Sequence, residues 1–250
     1  MSTVLVTGGS GTLGRELVPL LEAAGHDLRV LSRKPGKGTH TGDLTTGIGV
    51  AEATDGAEVI VHAASDTRRW GRADVDQTRN LVRAAATGAA GHIIYVSIVG
   101  IDSIPLYYYL RKLACEGVIG SSGVPYTIFR ATQFHELIEL LLRAVARLPV
   151  APLPLDFKFQ TVAAKDVAPR LVELVAAGPI GRAPDFGGPE VFSLGELATA
   201  WQAAGHTLPK IMRLPVPGRV GDAFRLGLNT CPENANSGET WAEFVARRPN

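Results

Sequence analysis

Thr7-Gly8-Gly9-Ser10-Gly11-Thr12-Leu13-Gly14 is the segment whose residue types and spacing best suit chemistry, because it follows a short apolar run and opens a helical pattern. Glycine allows a tight turn, lets the main chain approach a pyrophosphate, and lets the helix pack close to the strand. The unpaired amides of the helix start then face the anion. Gly8, Ser10, Gly11, Thr12, Leu13 and Gly14 are therefore candidate phosphate-binding residues, and the run reads as GxGxxG from Gly9 or as TGxxGxxG from Thr7. An acidic residue about 20 positions further on would hold both ribose hydroxyls of NAD. Ser32-Arg33-Lys34 stands there instead, and a guanidinium beside an ammonium suits a 2′-phosphate. NADP(H) is expected over NAD(H), with two solvated loop cations as the alternative.

These residues need elements to hold them, and the first half of the chain supplies short apolar runs alternating with helical patterns, the rhythm of βαβ units. Strands are predicted at Val4 to Thr7, Leu28 to Leu31, Glu58 to His62, His92 to Ser97 and Tyr126 to Phe129, with a weaker one at Thr39 to Thr41. Helices are predicted at Thr12 to Ala24, Asp74 to Ala86, Tyr107 to Gly120 and Phe134 to Arg147. After Pro149 the texture changes to the proline-broken run APLPLDF, then a helix over Asp166 to Ala177, one opened by Ser193 with Glu196 at capping-box spacing, and one over Glu239 to Arg247. The expected division is a dinucleotide-binding domain over 1–150 and a small C-terminal lobe over 151–250, threaded through the first part and not folding alone.

Twenty-five Lys and Arg against 24 Asp and Glu give a net charge of +1, so no global field draws the chain to nucleic acid or an anionic membrane. Cys115 and Cys231 are far apart and outside any CxxC pair, which removes support for a zinc site or disulfide framework. No metal is expected. The N-terminus runs straight into the glycine segment without a signal-peptide pattern, and no apolar stretch approaches the roughly 18 residues of a membrane span. A cytoplasmic chain with a small-molecule partner, neither nucleic-acid- nor membrane-bound and monomeric or homodimeric, is expected.

TGGSGTLG, Gly42-Asp43-Leu44, His62-Ala63-Ala64-Ser65, Tyr95-Val96-Ser97 and Tyr108-Tyr109-Leu110-Arg111-Lys112 together resemble the short-chain dehydrogenase/reductase superfamily, in its atypical branch of NmrA-like NAD(P)H-binding proteins. The likeness is strong over about Ser2 to Phe134, and looser through Val162 to Val167 and Phe186-Gly187-Gly188-Pro189-Glu190. It implies that Asp43 would bond the adenine amino group and Leu44 would pack on its ring. Ala63, Ala64 and Ser65 would line the pyrophosphate and nicotinamide ribose, while Ala131, Thr132 and Phe134 would close over the nicotinamide end. The family's Ser and YxxxK pattern falls on Ser97, Tyr108 and Lys112. In that role Tyr108 gives a proton to a carbonyl oxygen, Ser97 orients that oxygen, and Lys112 holds the ribose and lowers the phenol's pKa. Tyr109, at i,i+3 from Lys112, is the competing phenol.

The fold expected is α/β, a Rossmann-like doubly wound parallel sheet with a small C-terminal substrate-binding lobe. The function expected is an NADPH-dependent oxidoreductase passing hydride to a small carbonyl or quinone-like compound. A non-catalytic NADP(H) sensor is the rival, and a nucleotide-sugar epimerase or dehydratase is a third reading. His62 reads as a packed histidine and Cys115 as core. Asp66 to Trp70, with Arg68 and Arg69, reads either as a substrate-contacting loop or as a solvated turn.

Overall fold

The computed structural model describes residues 2–36, 38–88 and 90–248. In chain order it contains β1 (Thr3–Thr7), α1 (Thr12–Ala23), β2 (Asp27–Ser32), β3 (Thr39–Thr41), α2 (Val50–Thr54), β4 (Val59–His62), α3 (Asp74–Thr87), β5 (His92–Ile98), α4 (Tyr107–Gly120) and β6 (Tyr126–Ala131). There follow α5 (His135–Val145), β7 (Ala151–Leu153), β8 (Lys158–Phe159), α6 (Ala164–Ala177), β9 (Gly181–Arg182), β10 (Phe192–Ser193), α7 (Leu194–Ala203), β11 (Ile211–Arg213), α8 (Gly218–Leu226) and α9 (Trp241–Ala246). The chain divides into two compact units: Met1–Ser97, Tyr107–Arg130 and Val167–Pro184 form one, and Ile98–Leu106, Ala131–Asp166 and Asp185–Asn250 the other.

The first unit is built on a seven-stranded sheet in the order β3-β2-β1-β4-β5-β6-β9. Its pairs β1–β2, β1–β4, β2–β3, β4–β5 and β6–β9 all run parallel. This is the expected doubly wound arrangement, and its strand order reverses between β1 and β4. Ligands of such sheets bind outside the carboxyl ends of the strands at that reversal. Strand side chains alternate: Leu5, Ile60, Ile93 and Ile128 pack with Val50 and Ala53 of α2, Leu81 and Ala85 of α3, and Cys115 and Ile119 of α4. Val4, Val6, Val61 and Ile94, one step out of phase, are equally buried. A sheet covered on both faces accounts for the uninterrupted apolar runs in the sequence. Helix α4, which carries Tyr108 and Lys112, is tied to β6 by a two-pronged ion pair in which Arg130 Nε and Nη2 donate to the Glu116 carboxylate at 2.8 and 2.7 Å. Both side chains are largely buried, so removing one partner costs about 3–5 kcal/mol.

In the second unit β10 pairs antiparallel with β8 and β11 parallel with β7. The capping box foreseen at Ser193 and Glu196 opens α7, and a second one, Thr240 with Glu243, opens α9. That helix therefore starts later than Glu239, whose carboxylate is held by Lys165 and Arg247. Helix α6 begins two residues before Asp166, which lies in its first turn as an acid and accepts the Glu239 amide. The one-turn helix α2 and the strands β7 to β11 were not foreseen, because runs of two to five residues carry too little periodicity to read, and the nine-residue helix α8 was not foreseen either.

Candidate functional site

The turn after β1 is set by atoms rather than by composition. Gly8 has φ +77°, and a Cβ there would stand 2.8 Å from the main chain of Ala63 and Ala64. A Cβ on Gly14 would run into the Gly8 carbonyl and the Gly9 backbone. The turn closes with the Gly11 amide donating to Gly8 O at 2.9 Å, and Gly11 is the N-cap of α1 with no side-chain cap and no acid in the first turn. The amides of Thr12, Leu13 and Gly14 thus open toward an anion without a competing carboxylate. That donor set fits a dinucleotide pyrophosphate.

At the end of β2 the Lys34 amide donates to Ser32 Oγ, and the Arg33 and Lys34 side chains are exposed with no ion pair among the described residues. Two cations and a hydroxyl at this strand end suit an anionic group on a ribose. Asp43 sits on the adjoining loop, joined by the Gly42 amide to Ser32 O, and its carboxylate accepts the Thr45 amide at 2.8 Å. Leu44 is 7% exposed and belongs to the core with Val50 and Val75, so its side chain serves the sheet packing.

Ala63, Ala64 and Ser65 leave β4 directly beside the glycine turn. The Ala63 amide donates to Thr7 O, and the Ala64 amide to Thr7 Oγ1. Beneath them His62 is fully buried: its Nδ1 accepts from Thr7 Oγ1 at 2.7 Å, and its Nε2 donates to Thr78 Oγ1 at 3.2 Å. Thr78 spends its own hydrogen on Asp74 O, which fixes that tautomer. Burial, with the nearby Lys112 charge, holds the imidazole down at about 3, so it stays neutral and is a packed histidine as expected.

Asp74, the first residue of α3, is the hub that sequence reading missed. Its Oδ2 accepts from Ser65 Oγ at 2.6 Å and its Oδ1 from the Asp66 amide at 2.7 Å. Ser65 Oγ also lies 2.9 Å from the Tyr108 hydroxyl. Because the single Ser65 hydrogen goes to Asp74, Tyr108 donates to Ser65. Asp74 looked like an ordinary first-turn acid of a helix, and only its pairing across nine residues to Ser65 gives it this place.

Lys112 is 4% exposed, donates to Val96 O at 2.8 Å and lies 4.3 Å over the Tyr95 ring. Burial lowers its pKa, opposed by the Asp74 charge. The expectation that Lys112 lowers the Tyr108 phenol is not what the side chains do: burial pushes that phenol up to about 12, with the Ser65 bond pulling down and the Asp74 charge pushing up. Ser97, next to Val96 on β5, is 3% exposed and its Oγ has no hydrogen-bond partner among the described residues. A buried hydroxyl of this kind is free to bond a water or a ligand group.

Ala131, Thr132 and Phe134 belong to the second unit or its border. Ala131 bridges to Phe186, the Thr132 amide donates to Phe186 O and its hydroxyl accepts the Gly188 amide, while Phe134 bridges to Val162 and caps α5. His135 is buried against Trp241 and Phe244, with Nε2 on Glu239 O.

Residues 8–177 match the family described as NAD(P)H-binding. The chain belongs to that family. The resemblance to atypical short-chain dehydrogenase/reductases drawn from the motifs agrees with it, and the matched span holds the glycine turn, Ser65, Asp74, Ser97, Tyr108 and Lys112. Two relatives in this setting are a 3-beta-hydroxysteroid dehydrogenase of Mycolicibacterium neoaurum, 32% identical over 161 residues, and a ceramide reductase of Caulobacter vibrioides, 27% identical over 241 residues. The first match covers 49% of this chain and 44% of the dehydrogenase, the second 86% of this chain and 74% of the reductase. This chain therefore spans less than half of that dehydrogenase's length. Among solved structures, an NADPH-dependent quinone oxidoreductase of Escherichia coli complexed with NADPH has the same fold, with a TM-score of 0.80 over 98% of this chain and 99% of that one at 19% identity. Among the described residues no helix is long and apolar enough to cross a membrane.

Proposed function

We propose that this NAD(P)H-binding protein is an NADPH-dependent reductase of small carbonyl or quinone-like compounds. The observation that carries the reading is the half-buried line Asp74–Ser65–Tyr108, which sets a phenol against the end of the same β4 segment that packs on the glycine turn. Nucleotide and proton donor are thereby attached to one strand end. The choice of NADP(H) rests on Arg33 and Lys34 beside Ser32, where no acid stands to repel a 2′-phosphate.

When bound, the dinucleotide supplies a hydride to the carbonyl carbon. Tyr108, protonated throughout the neutral range, gives its proton to the oxygen that becomes the hydroxyl. For an aldehyde or ketone the alkoxide left by hydride addition is a stronger base than even this phenolate, so the transfer runs downhill. Ser65 then turns its hydrogen from Asp74 to the phenolate and stabilises it until solvent returns a proton. Ser97 Oγ, buried and unspent, orients the carbonyl oxygen. Lys112, with one of its three donors on Val96 O, offers the others to the ribose. The roles of Asp43 and Leu44 at the adenine and of Ala131, Thr132 and Phe134 at the nicotinamide rest on the family resemblance alone, as does the assignment of 151–250 to substrate.

A second reading, an NADP(H) sensor without turnover, draws on one observation: the phenol is pushed up rather than down. Following NADPH absorbance with a panel of quinones, aldehydes and ketones decides between them, with Tyr108→Phe and Lys112→Met beside the wild type. Consumption that falls in both variants supports the reductase; tight NADPH binding with no consumption of any compound supports the sensor.

A further inference from the structure

The segment between β4 and α3 carries more than the Tyr108 line. Thr67–Arg69 form a 3-10 turn that runs on through further turns to Ala73, with the Arg69 and Gly71 amides both donating to Asp66 O and the Arg72 amide to Arg69 O. Asp66, Arg69, Trp70, Arg72 and Ala73 line a cavity of about 430 Å3, within the size range of small-molecule sites. Trp70 is 64% exposed and is the only non-glycine residue with positive φ among the described residues. Holding a bulky side chain in that backbone region costs of order 1–3 kcal/mol, and such residues cluster at binding and catalytic loops. Arg69 and Arg72 are exposed, and neither has an ion pair among the described residues; the Arg68 side chain lies outside them. Next to Trp70, Gly71 is pressed on the phenol: a Cβ there would stand 3.0 Å from the Tyr108 ring and 3.2 Å from Asp74 Oδ2.

We propose that this cavity is a recognition subsite for the anionic group of a planar aromatic substrate, with Arg69 and Arg72 holding a carboxylate or sulfonate and Trp70 stacking on the ring. This names the substrate class of the reductase proposed above and rests on that reading. Among the residues lining the cavity, two guanidinium groups stand against the one carboxylate of Asp66, which suits an anionic group. An exposed indole offers the flat face that a conjugated carbonyl compound requires. Gly71 joins this loop to the phenol, so an aromatic ring seated on Trp70 lies one residue from the contact with the proton donor.

The test uses two probes that share the anthraquinone ring and differ at one substituent, the anionic anthraquinone-2-sulfonate and its neutral 2-hydroxymethyl analogue. Each is titrated against the whole protein with NADPH present while tryptophan fluorescence is followed. Trp201 and Trp241 are both 2% exposed, and the signal read is the part of the quenching that Trp70→Phe removes. The expected result is binding of the sulfonate about tenfold tighter than the neutral probe, a preference that raised salt weakens and that Arg69→Ala with Arg72→Ala erases, with NADPH affinity unchanged. Equal binding of the two probes, or a preference that survives in the double variant, overturns the proposal. So does a loss of NADPH affinity in that variant, which would give the arginines to the dinucleotide. Arginine-dependent sulfonate binding without NADPH consumption removes the reductase and leaves the subsite. Turnover of both probes at equal kcat/KM in wild type and double variant removes the subsite and leaves the reductase.

Discussion

The turn after β1 and the loop after β4 leave neighbouring parallel strands at the same reversal of strand order, yet they are held by opposite means. The first is specified within itself: Gly8 needs a left-handed backbone, Gly14 needs room beside the Gly8 carbonyl, and α1 starts without a cap. The second is specified by partners elsewhere, with Ser65 on Asp74 and Tyr108, Asp66 on Asp74, and Gly71 on the phenol ring. A locally coded turn gives an anion site of fixed geometry. A loop coded by distant side chains can couple what it binds to the group that does the chemistry, and Asp74 joins the two because its main chain also ends the Thr7–His62–Thr78 line beneath the turn.

The comparison breaks most visibly at Tyr108. Tyr108→Phe is expected to lower kcat by about 10²- to 10⁴-fold while the NADPH dissociation constant stays the same; equal losses in both would place the phenol in the nucleotide site. Gly8→Ala attacks the other region, where a side chain meets the Ala63 main chain and a left-handed φ. NADPH binding measured by calorimetry should weaken about 100-fold, corresponding to strain near 3 kcal/mol. Arg33→Ala should cut the ratio of NADPH to NADH affinity about tenfold, and an unchanged ratio would make these cations solvated loop residues.

Two pH experiments sharpen the link between the regions. In the role proposed for it, Tyr108 acts in its protonated form, and with its pKa raised to about 12 turnover should stay level from neutral into alkaline pH and fall only near the phenol's titration. Asp74→Asn removes a charge that raises that pKa, and the alkaline limb should move to lower pH; a limb that stays put would make Asp74 purely structural. His62 is held neutral in the fold at about 3 against 6.5 when unfolded. Its contribution to stability is complete above pH 6.5, and between that value and about 3 the unfolded chain binds the extra proton. Denaturant unfolding should thus show stability falling as pH drops through this window, by up to about 1.4 kcal/mol per pH unit from this residue. His92, lowered to about 4, adds to the same slope, so His62→Gln should flatten it only in part.

Much of this was legible in the residues. Parallel strands covered on both faces must be apolar throughout, so β1, β4, β5 and β6 showed in the sequence within a residue or two of where they lie. The glycine turn was legible because its demands are local. Asp74 was not, since an acid at the start of a helix looks the same whether it soothes the helix dipole or receives a serine hydroxyl. Trp70 gave no sign of its left-handed backbone, which depends on how Asp66 O gathers the Arg69 and Gly71 amides.

The sequence by itself determined the alternation of strands and helices through the first half of the chain and the glycine turn, because chain stiffness, side-chain alternation and the steric size of a Cβ act over a few residues. It also placed Tyr108 and Lys112 on one helix. Only the tertiary structure decided that Lys112 turns to Val96 O, that Tyr108 turns to Ser65, and that the phenol is pushed up rather than down. Burial and charge at a side chain are set by whatever the rest of the fold brings within a few ångströms, and spacing along the chain does not carry that information.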